Sequence, residues 1–170
     1  MSKLPIDEAI RKVQQASGLR YQLVLIIGPE GAGKTTVLQE VKARTGAPLI
    51  NVSLELSKRM LDLTEKQRIL HIPRLLDEIT DTTANEIILL DNSEILFDIT
   101  LRQNPLQLLK NLSRNRTVVA AWNGSVENGY LTYAAPRHPE YRRYQMQDFL
   151  MIDLTVATEC LENPVKEYRP

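Results

Sequence analysis

Eight consecutive residues, Gly28-Pro29-Glu30-Gly31-Ala32-Gly33-Lys34-Thr35, place glycines, a lysine and a hydroxyl in the order G-x-x-x-x-G-K-[ST]. Gly28, Gly31 and Gly33 free the backbone for positive φ and let its N–H groups approach an anion closely. Lys34 supplies a compact point charge for β- and γ-phosphates, and the Thr35 hydroxyl is a ligand for Mg²⁺. The apolar run Tyr21 to Ile27 ends at the first glycine, and a helical pattern starts by Thr35. That helix aims its positive end at the phosphates. The competing reading, a plain glycine-rich turn, does not account for the lysine and threonine. Gly28 through Thr36 are therefore expected to bind a nucleoside triphosphate, ATP with Mg²⁺.

A second acidic and polar set follows. Glu86-Ile-Ile-Leu-Leu-Asp91 is an apolar strand ending in a carboxylate, the Walker B pattern, and Asp91 joins Thr35 as the expected metal-holding pair. Many ATPases place a water-polarising glutamate next to that aspartate. Here the position is Asn92, and an amide orients water without taking its proton. The nearest carboxylate is Glu94, read either as the displaced base or as a solvated acid. Asn123 closes the strand Thr-Val-Val-Ala-Ala-Trp, where a polar side chain can meet the γ-phosphate or the lytic water. Its competing reading is a turn residue, because Asn-Gly is a turn signal.

Arg142 and Arg143 precede the last strand, at a place from which an arginine of one subunit can reach the nucleotide of the next. Arg114 and Arg116 are second candidates, and a solvated surface arginine is the alternative for each. Tyr130 to Tyr144 interleaves tyrosines and arginines, a composition that suits either nucleic-acid stacking or a protein interface. His138 is read as a loop residue, since only His71 accompanies it and no metal site can be assembled from the pair.

The elements that must position these groups alternate between strand and helix patterns, as a parallel sheet covered by helices requires. A helix over Pro5 to Ala16 leads to the strand Tyr21–Ile27, and the P-loop helix runs to Arg44 with Gly46 closing it. Leu49–Leu56 alternates as a second strand. Thr64-Glu-Lys-Gln67 is a capping box for a helix to Ile79. Glu86–Leu90 is the third strand, and Asn104-Pro105 opens a helix to Leu112. Thr117–Trp122 and Phe149–Leu154 complete five strands. The 170 residues thus divide into an N-terminal helix (1–18), a core (19–154) and a polar tail (155–170), one domain in all.

Composition excludes several classes. With 43% apolar and 25% charged residues and one cysteine, Cys160, this is an ordinary globular chain without a disulfide or zinc framework. No signal-peptide run or transmembrane-length stretch is present, so a cytoplasmic location is expected and a membrane partner is not. A net charge of zero argues against generic polyanion binding and leaves DNA contact unsupported. Local charge is less even: Asp77–Asp98 holds seven acids and no Lys or Arg, and Arg102–Arg143 holds seven basic residues. Such blocks either pair two copies or are separate solvated faces.

GPEGAGKT, LINVSLELS, LLDNSEILF, and above all LSRNRTVVAAWNG followed by GYLTYAAPRHPEYRRY, resemble BrxF. That family comprises small P-loop proteins of the type-three BREX phage-exclusion systems of bacteria. The likeness runs from the P-loop to about Tyr144. It implies a cytoplasmic ATP-binding component of an anti-phage defence complex, with other BREX subunits, a DNA methyltransferase among them, as partners. It implies no catalytic mechanism, and it suggests that Asn92 is a property of the family.

The combined expectation is an α/β, three-layer P-loop fold with a parallel five-stranded sheet, of the AAA/RecA-like branch and without a C-terminal lid domain. A GTPase is disfavoured because no Asn-Lys-x-Asp follows the fourth strand and Asp91 lacks x-x-Gly after it. A small-molecule kinase is disfavoured because no arginine-rich lid precedes a late helix, although the loop from Gly124 to Asp148 could imitate one. Two functions stay open: a weak or partner-stimulated ATPase using Glu94, Asn123, Arg142 and Arg143, and a nucleotide-gated assembly module. Self-association, strengthened by ATP and Mg²⁺, fits either.

Overall fold

The computed structural model describes residues 5–82 and 84–155, so the predicted tail beyond Thr155, Cys160 included, lies outside the described residues. In chain order the elements are α1 (Ile6–Ala16), β1 (Leu23–Gly28), α2 (Lys34–Thr45), β2 (Leu49–Asn51), α3 (Val52–Met60), α4 (Glu65–Asp81) and β3 (Ile87–Asp91). Two short 3-10 turns follow, Glu94–Phe97 and Ile99–Leu101, then α5 (Pro105–Leu112), β4 (Thr117–Glu127), β5 (Tyr130–Tyr133), β6 (Arg142–Gln145) and β7 (Leu150–Asp153).

Five strands pair in parallel in the order β2-β3-β4-β1-β7. The expected parallel five-stranded sheet is therefore present. β1 sits inside it with six buried residues, which is why its sequence reads as an unbroken apolar run. Alternation divides that run between two layers. Val24 and Ile26 pack with Val13 of α1 and Val37, Leu38 and Val41 of α2. Leu23, Leu25 and Ile27 face Leu56, Ile72, Leu76 and Leu109 on α3, α4 and α5. Burying each such side chain contributes about 1.5–3 kcal/mol, and truncating one would leave a cavity on only one side of the sheet. No described helix is long and apolar enough to cross a membrane.

Local signals account for most boundaries. Thr64 and Gln67 make both bonds of the capping box of α4, and Asn104 accepts from Gln107 N ahead of Pro105 at the start of α5. The second strand is shorter than expected. It stops at Asn51, and Val52–Met60 is helical rather than extended. The reason is a cap: Asn51 Oδ1 accepts from Leu54 N at 3.1 Å. Val52, Leu56 and Met60 then fall on one buried helical face.

The region after Trp122 is more ordered than its composition suggests. β4 runs five residues past the predicted end and pairs antiparallel with β5, which pairs with β6. Glu127 and Tyr130 face each other across Asn128-Gly129, whose φ values of 52° and 81° make the two-residue hairpin turn. Asn123-Gly124 is not a turn but lies within β4. A Cβ on Gly124 would stand 1.8 Å from the Thr132 carbonyl oxygen, so only glycine lets the hairpin close there. Trp122 Nε1 donates to that same oxygen at 2.9 Å.

Candidate nucleotide-binding site

β1 and β3 end beside the point where β4 leaves its parallel pairing, at Asn123, and the residues gathered there form one cleft of about 730 Å³. Its walls are Glu30, Gly31, Gly33, Lys34, Thr35 and Thr36 from the P-loop, Asn51 from β2, and Asp91, Asn92, Glu94 and Asn123. Parallel pairing is what brings them together, because it puts the C-terminal ends of all these strands on one edge of the sheet.

The loop from Gly28 to Lys34 wraps back over β1. Gly31 and Gly33 take φ of 83° and 101°, values that side chains rarely adopt. Gly28 does not have positive φ, contrary to the sequence expectation. Its requirement is space, since a Cβ would meet the Ala32 Cβ at 2.9 Å. Lys34 is buried, and its ammonium donates to the carbonyls of Gly28 at 2.8 Å and Pro29 at 2.6 Å. Burial lowers its pKa, while Glu94, Asp91 and Glu30 pull in the opposite direction. The α2 N-terminus adds its own positive end at the loop.

Thr35 Oγ1 donates to Asp91 Oδ2 at 2.8 Å, so the two expected metal residues are in direct contact across the cleft. A hydroxyl and a carboxylate are hard oxygen donors, which suits Mg²⁺. No cluster of three or more His, Cys, Asp or Glu exists among the described residues to hold a metal by itself. The set fits a cation that completes its shell with water and phosphate oxygens.

Asn92 and Glu94 part company after Asp91. Asn92 has φ of 54° and is tied on two sides: its amide donates to Asn51 Oδ1 at 3.2 Å, and its carbonyl accepts from Ser53 N and Oγ at 2.9 and 2.6 Å. Glu94 begins the first 3-10 turn and turns back, so that Asn123 Nδ2 donates to Glu94 Oε1. Glu94 Oε2 is buried without a hydrogen-bond partner among the described residues. Burial raises the Tyr133 phenol pKa, with Glu94 and then Glu140 adding to the effect.

Of the arginines considered from sequence, none lines this cleft. Arg142 and Arg143 lie on β6, where the Arg143 guanidinium stacks 3.7 Å from the Tyr130 ring centroid and Arg142 donates to the Tyr141 carbonyl. Arg116 caps the opposite end of the sheet, bonding Thr80 O at 2.7 Å and Asp81 at 2.8 Å. That ion pair uses part of the Asp77–Asp98 acidic block within the chain, before β3 begins. His138 Nδ1 accepts from Glu140 N, as a loop histidine. Asn51 is the cleft residue that sequence reasoning missed. An Asn directly before a helical apolar spacing was the available signal.

No curated protein gives a significant sequence match. A solved structure of C. elegans PCH-2 is similar over 87% of this chain at 12% identity with a TM-score of 0.42, and this chain spans about two fifths (41%) of that one. The model of the ATPase family associated with various cellular activities matches residues 24–121, more than half of the sequence and every element from β1 into β4. The chain belongs to this AAA family.

Proposed function

We propose that this protein is the ATP-binding P-loop component of a bacterial phage-defence complex of the BREX type, a BrxF-like subunit that turns over ATP slowly or on stimulation by a partner. The AAA fold supports nucleotide binding; the BREX assignment rests on the likeness of the β4–β5–β6 segment, Leu112–Gly124 and Gly129–Tyr144, which lies largely beyond the AAA match. A cytoplasmic location and contact with other defence subunits belong to the same proposal.

The observation that carries hydrolysis is the Glu94–Asn123 pair facing the Thr35–Asp91 pair across one cleft. Backbone N–H groups of the P-loop and Lys34 would hold the triphosphate, and Asp91 with Thr35 would hold Mg²⁺, which would supply charge neutralisation to the phosphoryl group. Asn123 holds Glu94 through Oε1, and Oε2 is buried in this structure, so the carboxylate must turn toward the cleft to accept a proton from the attacking water. That water's oxygen bonds to the γ-phosphorus as the bridging bond to the β-phosphate breaks, releasing ADP and phosphate.

A second reading has one observation in its favour. Asn92 occupies the place next to Asp91 and is fastened to Asn51 and Ser53. This favours a nucleotide-gated assembly module with little turnover. Steady-state phosphate release by the purified protein, alone and with DNA or partner subunits, separates the two readings. Lys34→Ala should abolish ATP affinity in calorimetry while keeping a cooperative thermal transition, lowered by the loss of its bonds to the Gly28 and Pro29 carbonyls. Unchanged affinity in that variant would remove the nucleotide assignment.

A further inference from the structure

At the edge of the sheet remote from the nucleotide cleft, β1 is entered through Arg20 and Tyr21, and β4 through Arg114 after α5 ends. These entries bring three cations onto one ring. The Arg20 guanidinium lies 5.4 Å, the Arg114 guanidinium 5.7 Å and the Lys110 ammonium 5.9 Å from the Tyr21 centroid. All three are within cation–π reach. Sharing one centroid, no two of them are more than about 12 Å apart.

Little in the chain offsets this concentration of charge. Among the described residues neither Arg20 nor Arg114 makes an ion pair, and both are exposed. Lys110 has only Asp148, at 4.0 Å, whose own side chain is 60% exposed. A chain of zero net charge has thus gathered positive charge at one spot. Two of the groups are guanidinium forks, whose planar donors match phosphate oxygens. The partly buried ring between them leaves some surface on which a base can stack. Arg20 and Arg114 stand on open surface, with the Lys110 side chain, 14% exposed, at its margin, an open arrangement that suits a run of phosphates crossing the patch better than one small enclosed anion.

We propose that Arg20, Lys110 and Arg114, gathered on Tyr21, bind the phosphate backbone of a single-stranded nucleic acid. The site is independent of the nucleotide reading, because Gly28 stands seven residues further along the strand path, about 23 Å away. ATP at one end and a nucleic acid at the other would occupy opposite edges of the same sheet.

The test is fluorescence anisotropy with a labelled oligothymidylate of twenty nucleotides, between 50 and 200 mM salt, with excess ADP to fill the nucleotide cleft. Three neutralised phosphates predict a slope of about −2 in log K against log salt. Arg20→Gln/Lys110→Gln/Arg114→Gln should weaken binding at least tenfold and flatten that slope by about 2. Tyr21→Leu should weaken the single strand several-fold and a duplex of the same length far less. Unchanged affinity and slope in the triple variant would overturn the proposal, as would competition by polyglutamate equal to that of the oligonucleotide. A duplex bound as tightly as the single strand by the wild type would overturn the strand preference. Retained ATP affinity reports that the triple variant is folded. If that variant does not fold, the double change Arg20→Gln/Arg114→Gln, confined to exposed side chains, carries the same two readouts.

Discussion

Replacing Glu94 by glutamine separates proton transfer from every other task in the cleft. The new amide keeps an Oε1 that accepts from Asn123 Nδ2, so the 3-10 turn and the end of β4 stay joined. The second oxygen is buried without a partner, and exchanging it for an amide nitrogen removes a poorly solvated charge while adding an unpaired donor. These two effects oppose each other, and stability should change by less than about 1 kcal/mol. Electrostatics then sets the binding change. A negative charge on the wall of a cleft that takes a polyanion opposes ATP by an amount on the order of 1 kcal/mol for charges separated by solvent. Its loss should tighten the Kd up to about fivefold. Loss of the general base should lower turnover by about 10²–10⁴, or roughly 3–5.5 kcal/mol of transition-state stabilisation. Calorimetry reads the first number and single-turnover phosphate release the second. Asn123→Ala completes a cycle: alone it should slow release by about tenfold or more, but in the Glu94→Gln background by less than about threefold, because it acts through the carboxylate. Wild-type release by Glu94→Gln, or full additivity of the two changes, would refute the assignment.

Two further outcomes follow from the contacts around the cleft. Asp91→Asn removes the charge opposite Thr35 and should weaken ATP binding about tenfold in Mg²⁺ but little in EDTA; an equal loss in both conditions would detach Asp91 from the metal. Arg142→Ala/Arg143→Ala should reduce ATP-dependent self-association several-fold in analytical ultracentrifugation and leave monomeric ATP affinity unchanged; a wild-type protein that stays monomeric at tens of micromolar, with or without nucleotide, would discard a trans-acting arginine on β6.

What sequence made legible was whatever is decided locally. The P-loop, the Thr64–Gln67 box and the Asn104-Pro105 start each depend on residues within one helical turn, and each is where its pattern put it. Asp91 and Asn123 were legible because a polar residue after an apolar parallel strand must emerge at the sheet edge. The end of β2 was not. Leu49–Leu56 satisfies both a period of two and, from Val52, a period of four. The decision falls to Asn51, whose side chain caps α3 and also receives Asn92 from 41 residues away. The hairpin was hidden for a related reason. Two Asn-Gly pairs compete within β4 and its turn, and only the second turns; the first is kept extended by the Thr132 backbone crossing over Gly124.

The same long-range packing explains how a glutamate three residues past the Walker B aspartate can reach the cleft. A residue directly after β3 is already committed: Asn92 is pinned to Asn51 and Ser53 at the cleft wall. The chain then tightens into the Glu94–Phe97 turn, which returns Glu94 toward the sheet and sends Phe97 into the core. Phe97 stacks on Tyr133 with centroids 3.4 Å apart and meets the edge of Trp122 at 5.0 Å. Trp122 and Tyr133 flank the close approach of β4 and β5, so Phe97 anchors the turn to the strand that carries Asn123. Glu94 is thus held twice, by Asn123 at its carboxylate and by Phe97 three residues on. A rigid double anchor is the condition for a base to be preorganised rather than merely nearby. It also joins the cleft to the hairpin: a shift of the Glu94–Phe97 turn as a unit would slide Phe97 over Tyr133, in a core packed too densely for small continuous shifts.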